Sequence, residues 1–137
     1  MKILICGLPG SGKTWLAERL IKVIENCAWY NADIVRKSAN DWDFSMEGRI
    51  RQANRMKTFA DFEKQSGRWV ICDFVAPTEK AREAFNPDFV IWLDTIKEGR
   101  FEDTNKIFEQ PSKTDIKITK FLSDKEIENL AKEIKNV

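Results

Sequence analysis

The chain has 137 residues, 42% hydrophobic and 33% charged, an ordinary balance for a globular protein and enough length to bury a core without crosslinks. Its formal net charge of +1 excludes a polyanion-binding surface spread over the whole molecule and leaves only a local one, for which the mildly basic stretch from Asp33 to Arg68 is the candidate. With no histidine, imidazole is removed from every mechanism, and Cys6, Cys27 and Cys72, outside any Cys-x-x-Cys spacing, argue against a zinc site.

Taken in chain order, Lys2 to Cys6 is a short apolar run ending at glycine, the pattern of a buried strand. From Lys13 the apolar spacing turns helical through Leu16, Leu20, Val23 and Ile24, with Asn26 near the stop. Ala28 to Tyr30 reads as a second strand, followed by a short helix and a loop over 34–45. Met46 to about Gln65 is predicted as a long helix with Met46, Ile50, Ala53, Met56, Ala60 and Phe62 or Glu63 on one stripe, ended by Ser66 and Gly67. Trp69–Asp73 and Phe89–Leu93 are further buried strands, separated by a short helix that opens at Pro77-Thr78 and runs to about Ala84. Asp115 to Ile118 alternates like an edge strand, and Ser123 with Glu126 forms a capping box ahead of the stripe Ile127, Leu130, Ala131, Ile134. Strands alternating with helices imply a parallel five-stranded sheet flanked by helices, an α/β fold in three layers, in one domain over 1–137. The cysteines sit in apolar runs and read as reduced thiols, which favours the cytoplasm. No leader is expected before the first strand, and no apolar stretch is long enough for a membrane span.

Gly7-Leu-Pro-Gly-Ser-Gly-Lys13-Thr14 follows a strand and opens a helix, the context that makes Gly-x-x-x-x-Gly-Lys-Ser/Thr specific for phosphate. Its glycines let successive backbone N–H groups face an anion, and the helix adds its positive end. Gly7, Pro9, Gly10, Ser11 and Gly12 are thereby nucleotide-binding candidates, with Lys13 directed to the β/γ-phosphates of ATP and the Thr14 hydroxyl to Mg²⁺. Trp15, next in the chain, reads as core packing under the loop. Asp73 ends an apolar strand, either as an acid near the metal or as a cap for the following turn.

Ligands of open parallel sheets bind beyond the carboxyl ends of the strands, where Asp33 falls. A kinase acting on a hydroxyl needs a carboxylate there, so Asp33 is the candidate base, with helix N-capping as its other role. Arg36, Arg49 and Arg55 are candidates for an anionic acceptor, and Gln52 shares a helix edge with Arg49.

These motifs together resemble the adenylylsulfate (APS) kinases, members of the P-loop NTPase fold. The resemblance runs through the phosphate loop, Asn31-Ala-Asp33-Ile-Val-Arg36, Phe44-Ser45, Arg49, Phe74-Val-Ala-Pro77, Phe101 and Phe108-Glu-Gln-Pro111. It implies transfer of the ATP γ-phosphoryl to the 3′-hydroxyl of adenylylsulfate, with Asp33 as catalytic carboxylate and within the metal's surroundings beside Thr14 and Asp73. It also implies Arg36 on the acceptor's anion, and Phe44 and Phe101 on either side of its adenine. The chain departs from the family pattern at three residues and in its lid. Asn31 replaces an acid, Gln52 an asparagine and Asn54 an arginine. The long lid after the fourth strand shrinks to Asp94–Arg100, so Arg100, Lys97 or Lys106 has to supply the cation that the lid provides. A small nucleotide acceptor follows from this reading. Transfer to another nucleotide or to nucleic acid, a non-catalytic nucleotide-binding role, and a homodimer all stay open.

Overall fold

The structure, a computed structural model, describes residues 1–137. The five apolar runs become strands of one sheet: β1 (Lys2–Gly7), β2 (Cys27–Asn31), β3 (Trp69–Asp73), β4 (Phe89–Leu93) and β5 (Ile116–Ile118). All pairings are parallel, in the order β2-β3-β1-β4-β5, so β5 is an edge strand as its alternation suggests. Every residue of β1 and of β4 is buried, which explains why these segments read as unbroken apolar runs.

Alternate side chains of the strands feed two cores. Ile3, Ile5, Ile71 and Ile91 meet Leu16, Leu20 and Ile24 from helix α1 (Lys13–Val23) and its exit, and Ile127, Leu130 and Ile134 from α6 (Asp124–Lys135). Leu4, Cys6, Val70, Cys72, Val90 and Trp92 point the other way. They meet Ala53, Met56 and Ala60 of α3 (Met46–Gln65) and Ala81 and Phe85 of α4 (Glu79–Phe85). The result is the three-layer α/β/α arrangement expected from the alternation of elements. All three cysteines are free; Cys6 and Cys72 are buried and Cys27 is half-buried. No helix is long and apolar enough to cross a membrane.

Side-chain caps fix most helix starts: Asn31 opens α2 (Ala32–Ala39), Ser45 opens α3, Thr78 opens α4, and the Ser123–Glu126 capping box opens α6. The stripe expected along α3 needs correction at its start, and at its end the structure chooses Glu63 over Phe62. Met46 and Phe62 are 53% and 65% exposed, whereas Glu63 is buried, receiving the Tyr30 hydroxyl at 2.6 Å and Arg68 at 2.7 Å. Helix α5 (Glu102–Ile107) is not foreshadowed by any periodicity, because Thr104 is its one buried residue. Bonds outside its own ladder hold it instead: the Asn105 side chain donates to the Gly99 carbonyl and accepts from the Gly99 amide, and the Thr104 hydroxyl accepts from Arg49.

Truncating Leu20, fully buried in the α1–α6 layer, is expected to cost about 3 kcal/mol, against about 1 kcal/mol for Ser123→Ala at the α6 cap. Urea denaturation of both variants measures the difference, and equal losses would contradict this division between core and cap.

Candidate active site

The carboxyl ends of β1, β2 and β3 open on a cavity of about 650 Å³, bordered by the start of α1, the 42–44 loop, the 74–77 loop and the segment 100–104. The phosphate loop forms one wall. Gly12, at φ +100°, lies where a Cβ would stand 2.8 Å from the Phe121 ring, and at Gly7 a Cβ would meet the Leu93 carbonyl oxygen at 2.6 Å. Only glycine lets the chain turn this tightly into α1. Gly12 offers no capping side chain, so the first N–H groups of α1 are left for an anion. Pro9, Gly10, Gly12, Lys13 and Thr14 line the cavity, while Gly7 and Ser11 are buried beneath the loop, the Ser11 hydroxyl without a partner.

Lys13 folds back to donate from Nζ to the Leu8 carbonyl at 3.0 Å. Burial lowers its pKa to about 8, against the opposing pull of Asp73 and Asp33, while Arg100 adds to the lowering. Asp73, 2% exposed, sits at the centre of the site. Its carboxylate accepts from the Thr14 hydroxyl at 2.9 Å, the Trp29 indole at 2.7 Å and the Asn31 amide at 3.1 Å. Burial raises its pKa, and those three bonds work against the rise. It caps no turn; its partners are side chains on α1 and β2.

Asn31 explains the departure from the acidic pattern. Its register opposite Asp73 lets the amide nitrogen reach both Asp73 and, at 3.1 Å, the Thr14 hydroxyl, while its oxygen accepts the Ile34 N–H and caps α2. An acid here would have faced Asp73 with like charge. The capping role weighed for Asp33 therefore belongs to Asn31. Asp33 stands in the first turn of α2, exposed, and its carboxylate makes no hydrogen bond or ion pair. Of the two carboxylates lining the cavity, Asp73 is fully engaged and Asp33 is free.

The opposite side collects cations and rings. Arg36 is 5% exposed, donates to the carbonyls of Asp41 and Asp43 at 2.9 and 3.2 Å, and lies 4.4 Å from the centre of the Phe44 ring. Arg49 donates to the Phe44 carbonyl and the Thr104 hydroxyl. Gln52 is buried against the Ala32 carbonyl yet still borders the cavity, beside Arg49 as the helix spacing implies. Phe44 and Phe101 are 52% and 56% exposed and both line the cavity, so neither belongs to the core. Arg55 does not face the cavity; it is committed to Asp41 at 2.9 Å and Gln52 at 2.6 Å. Among the cations proposed to stand in for the lid, Arg100 borders the cavity, whereas Lys97 pairs with Asp94 and Lys106 with Glu102 outside it. Trp15 both packs on the core and lines the cavity, edge-on to Phe121. Trp42 and Thr104 also line it, and sequence reasoning passed over both, since a lone tryptophan in a polar loop and a threonine in an unpredicted helix carry no periodic signal.

A sequence profile of the adenylylsulphate kinase family matches residues 1–89. A probable adenylyl-sulfate kinase of Aeropyrum pernix is 34% identical over 83 residues, which cover 57% of this chain and 45% of that protein. The match thus spans less than half of that relative's length. The crystal structure of APE1195 superposes with a TM-score of 0.86 at 23% identity, covering 100% of this chain and 96% of that one. The Mycobacterium tuberculosis APS kinase CysC, solved with AMPPNP and APS, superposes at 0.75 with 22% identity, covering 98% of this chain and 95% of that one. At these identities the two structures establish the fold.

The lowered pKa of Lys13 has a definite sign. Below about pH 8 the buried ammonium is penalised, and stability rises with pH between there and the free-lysine value of 10.5. A bound triphosphate reverses the preference, because it favours the ammonium. Triphosphate affinity is therefore expected to fall above pH 8, by up to about tenfold per unit. Calorimetry at pH 8.5 in buffers of different ionisation enthalpy should register proton uptake, and Lys13→Met should abolish it.

Proposed function

The chain belongs to the adenylylsulfate kinase family, and from that premise we propose that it is an ATP-dependent kinase acting on the 3′-hydroxyl of adenylylsulfate. One observation carries the proposal. The phosphate loop, an unpaired carboxylate, three arginines and two exposed phenylalanines all border a single cavity at the carboxyl ends of the strands.

The residues fit the groups that the reaction needs. The uncapped start of α1, the close approach enforced at Gly7 and Gly12, and Lys13 suit the phosphates of ATP. The Thr14 hydroxyl and the Asp73 carboxylate, 2.9 Å apart, are the hard oxygen donors that Mg²⁺ prefers, directly or through water, with Asp33 in reach of its surroundings. When bound, ATP supplies the transferable phosphoryl group and Mg²⁺ neutralises its charge.

Asp33 orients the acceptor hydroxyl and takes its proton, a role open to it because it has no other partner. Lys13 stabilises charge on the transferring group, and Arg100 adds a cation at the rim where the chain lacks a long lid. Arg36 and Arg49 hold the acceptor's phosphosulfate, their guanidiniums already oriented by backbone carbonyls and so needing little reordering. Phe44 and Phe101 stack on its adenine, and Gln52 completes that wall. The free thiols fit a reducing cytoplasm.

The decisive experiment offers labelled ATP with adenylylsulfate, nucleosides, nucleotides and 5′-hydroxyl oligonucleotides. Label on adenylylsulfate is the expected outcome; label on an oligonucleotide alone, or ATP binding without transfer, overturns the reading. Asp33→Asn should lower turnover about a thousandfold while leaving ATP affinity nearly unchanged. Substantial residual turnover would remove Asp33 as the base.

A further inference from the structure

Behind the acceptor half of the cavity lies a buried arginine that the reaction above does not use. Arg82, on α4, is 5% exposed and does not border the cavity. Its Nη1 donates to the Ala76 carbonyl; its Nη2 donates to the Glu109 carbonyl at 2.7 Å and to the Glu79 carboxylate at 3.0 Å. Glu79 passes the link on by accepting the Ser112 amide at 2.7 Å and its hydroxyl at 3.0 Å. The Glu109 amide closes the ring by donating to the Pro77 carbonyl at 2.7 Å. Two loops far apart in sequence are thus tied by one charged cluster.

The tie is most demanding at Ala76, which is 1% exposed and has a φ of +43°. The other non-glycine residues with positive φ are Asn26, Asn40 and Asn86, of the type that tolerates this region; alanine does not. Such a conformation persists only where its surroundings over-determine it. The start of α4 does not require it, because Thr78 caps that helix independently. Nor does stability account well for Arg82, a buried guanidinium whose Nε has no partner. What the strained alanine does shape is the 74–77 loop, which lines the cavity. The other end of the tie, 108–112, directly follows α5, whose Thr104 forms the facing wall and receives Arg49.

We propose that Arg82 is a positioning residue for the phosphoryl acceptor: it holds Ala76 in the left-handed conformation and, with Glu79, sets the separation of the two walls between which the acceptor lies. The proposal rests on the functional reading above for the identity of that acceptor, but not for the tie itself.

The test compares Arg82→Met, Arg82→Lys and Glu79→Gln in the full chain, each with and without Ala76→Gly. Arg82→Met should raise KM for adenylylsulfate about tenfold and leave ATP affinity within about twofold. Ala76→Gly should recover most of that loss, since glycine adopts the loop conformation unaided. Amide hydrogen exchange should accelerate at Glu109 and Ser112, whose N–H groups donate into the tie, and not elsewhere. Arg82→Lys, which keeps the charge but cannot span both carbonyls, carries the same comparison if the methionine variant fails to fold. Parallel losses in acceptor and ATP affinity, global acceleration of exchange, or no recovery with Ala76→Gly would overturn the positioning role. A wild-type protein that does not phosphorylate adenylylsulfate would overturn the functional reading alone, and the exchange pattern would still decide the tie.

Discussion

Asp73 accepts hydrogen bonds from the Thr14 hydroxyl, the Trp29 indole and the Asn31 amide, and through these donors the end of β3 is locked to the phosphate-loop helix and to β2. A carboxylate this deep is tolerable only because the three donors compensate for lost water. The constraint propagates outward. Asn31, held on Asp73, also caps α2 and thereby sets the position of Asp33 and Arg36 on that helix. The distance between the phosphate loop and the arginine-bearing side of the cavity therefore depends on the bonds that Asp73 makes with Thr14 and Asn31.

Most charges around the cavity are occupied in building it. Arg36 and Arg49 hold the 41–44 loop by its carbonyls, Arg51 and Arg55 neutralise Asp41, and Arg82 binds two loops together behind the wall. Against that background the unpaired Asp33 stands apart as a group without a structural partner, and the rings of Phe44 and Phe101 stay half exposed although arginines approach them. Exposed aromatic surface and a free carboxylate beside a phosphate loop are the groups of this cavity left open to a ligand.

The short connection after β4 serves the loop it adjoins. The Thr95 hydroxyl donates to the Ser11 carbonyl at 2.7 Å, and Gly99 approaches the Pro9 carbonyl so closely that a Cβ would stand 3.0 Å away. Asn105 secures the turn from α5. The segment from Asp94 to Asn105 thus braces the phosphate loop and leaves Arg100 at the rim.

Much of this was readable before any coordinates. The bounds of α3, β3 and β4, the opening of α4 at Pro77-Thr78, the cap at Ser123 and the phosphate loop all follow from period, capping chemistry and glycine placement, which act within a few residues. Helix α5 was not readable, because neighbours outside it hold it in place; nor could helical period choose between Phe62 and Glu63 for the buried stripe, a choice that Tyr30 and Arg68 settle for Glu63. The same limit separates Arg36 and Arg49 from Arg55, and Arg100 from Lys97 and Lys106. Local chemistry sufficed to say that these cations exist near a phosphate-binding loop. Which of them border the cavity depends on how the folded chain arranges the segments that enclose it: Lys97 and Lys106 pair with carboxylates three and four residues away and lie outside, whereas Arg36, Arg49 and Arg100 reach a cavity whose walls come from segments remote along the chain.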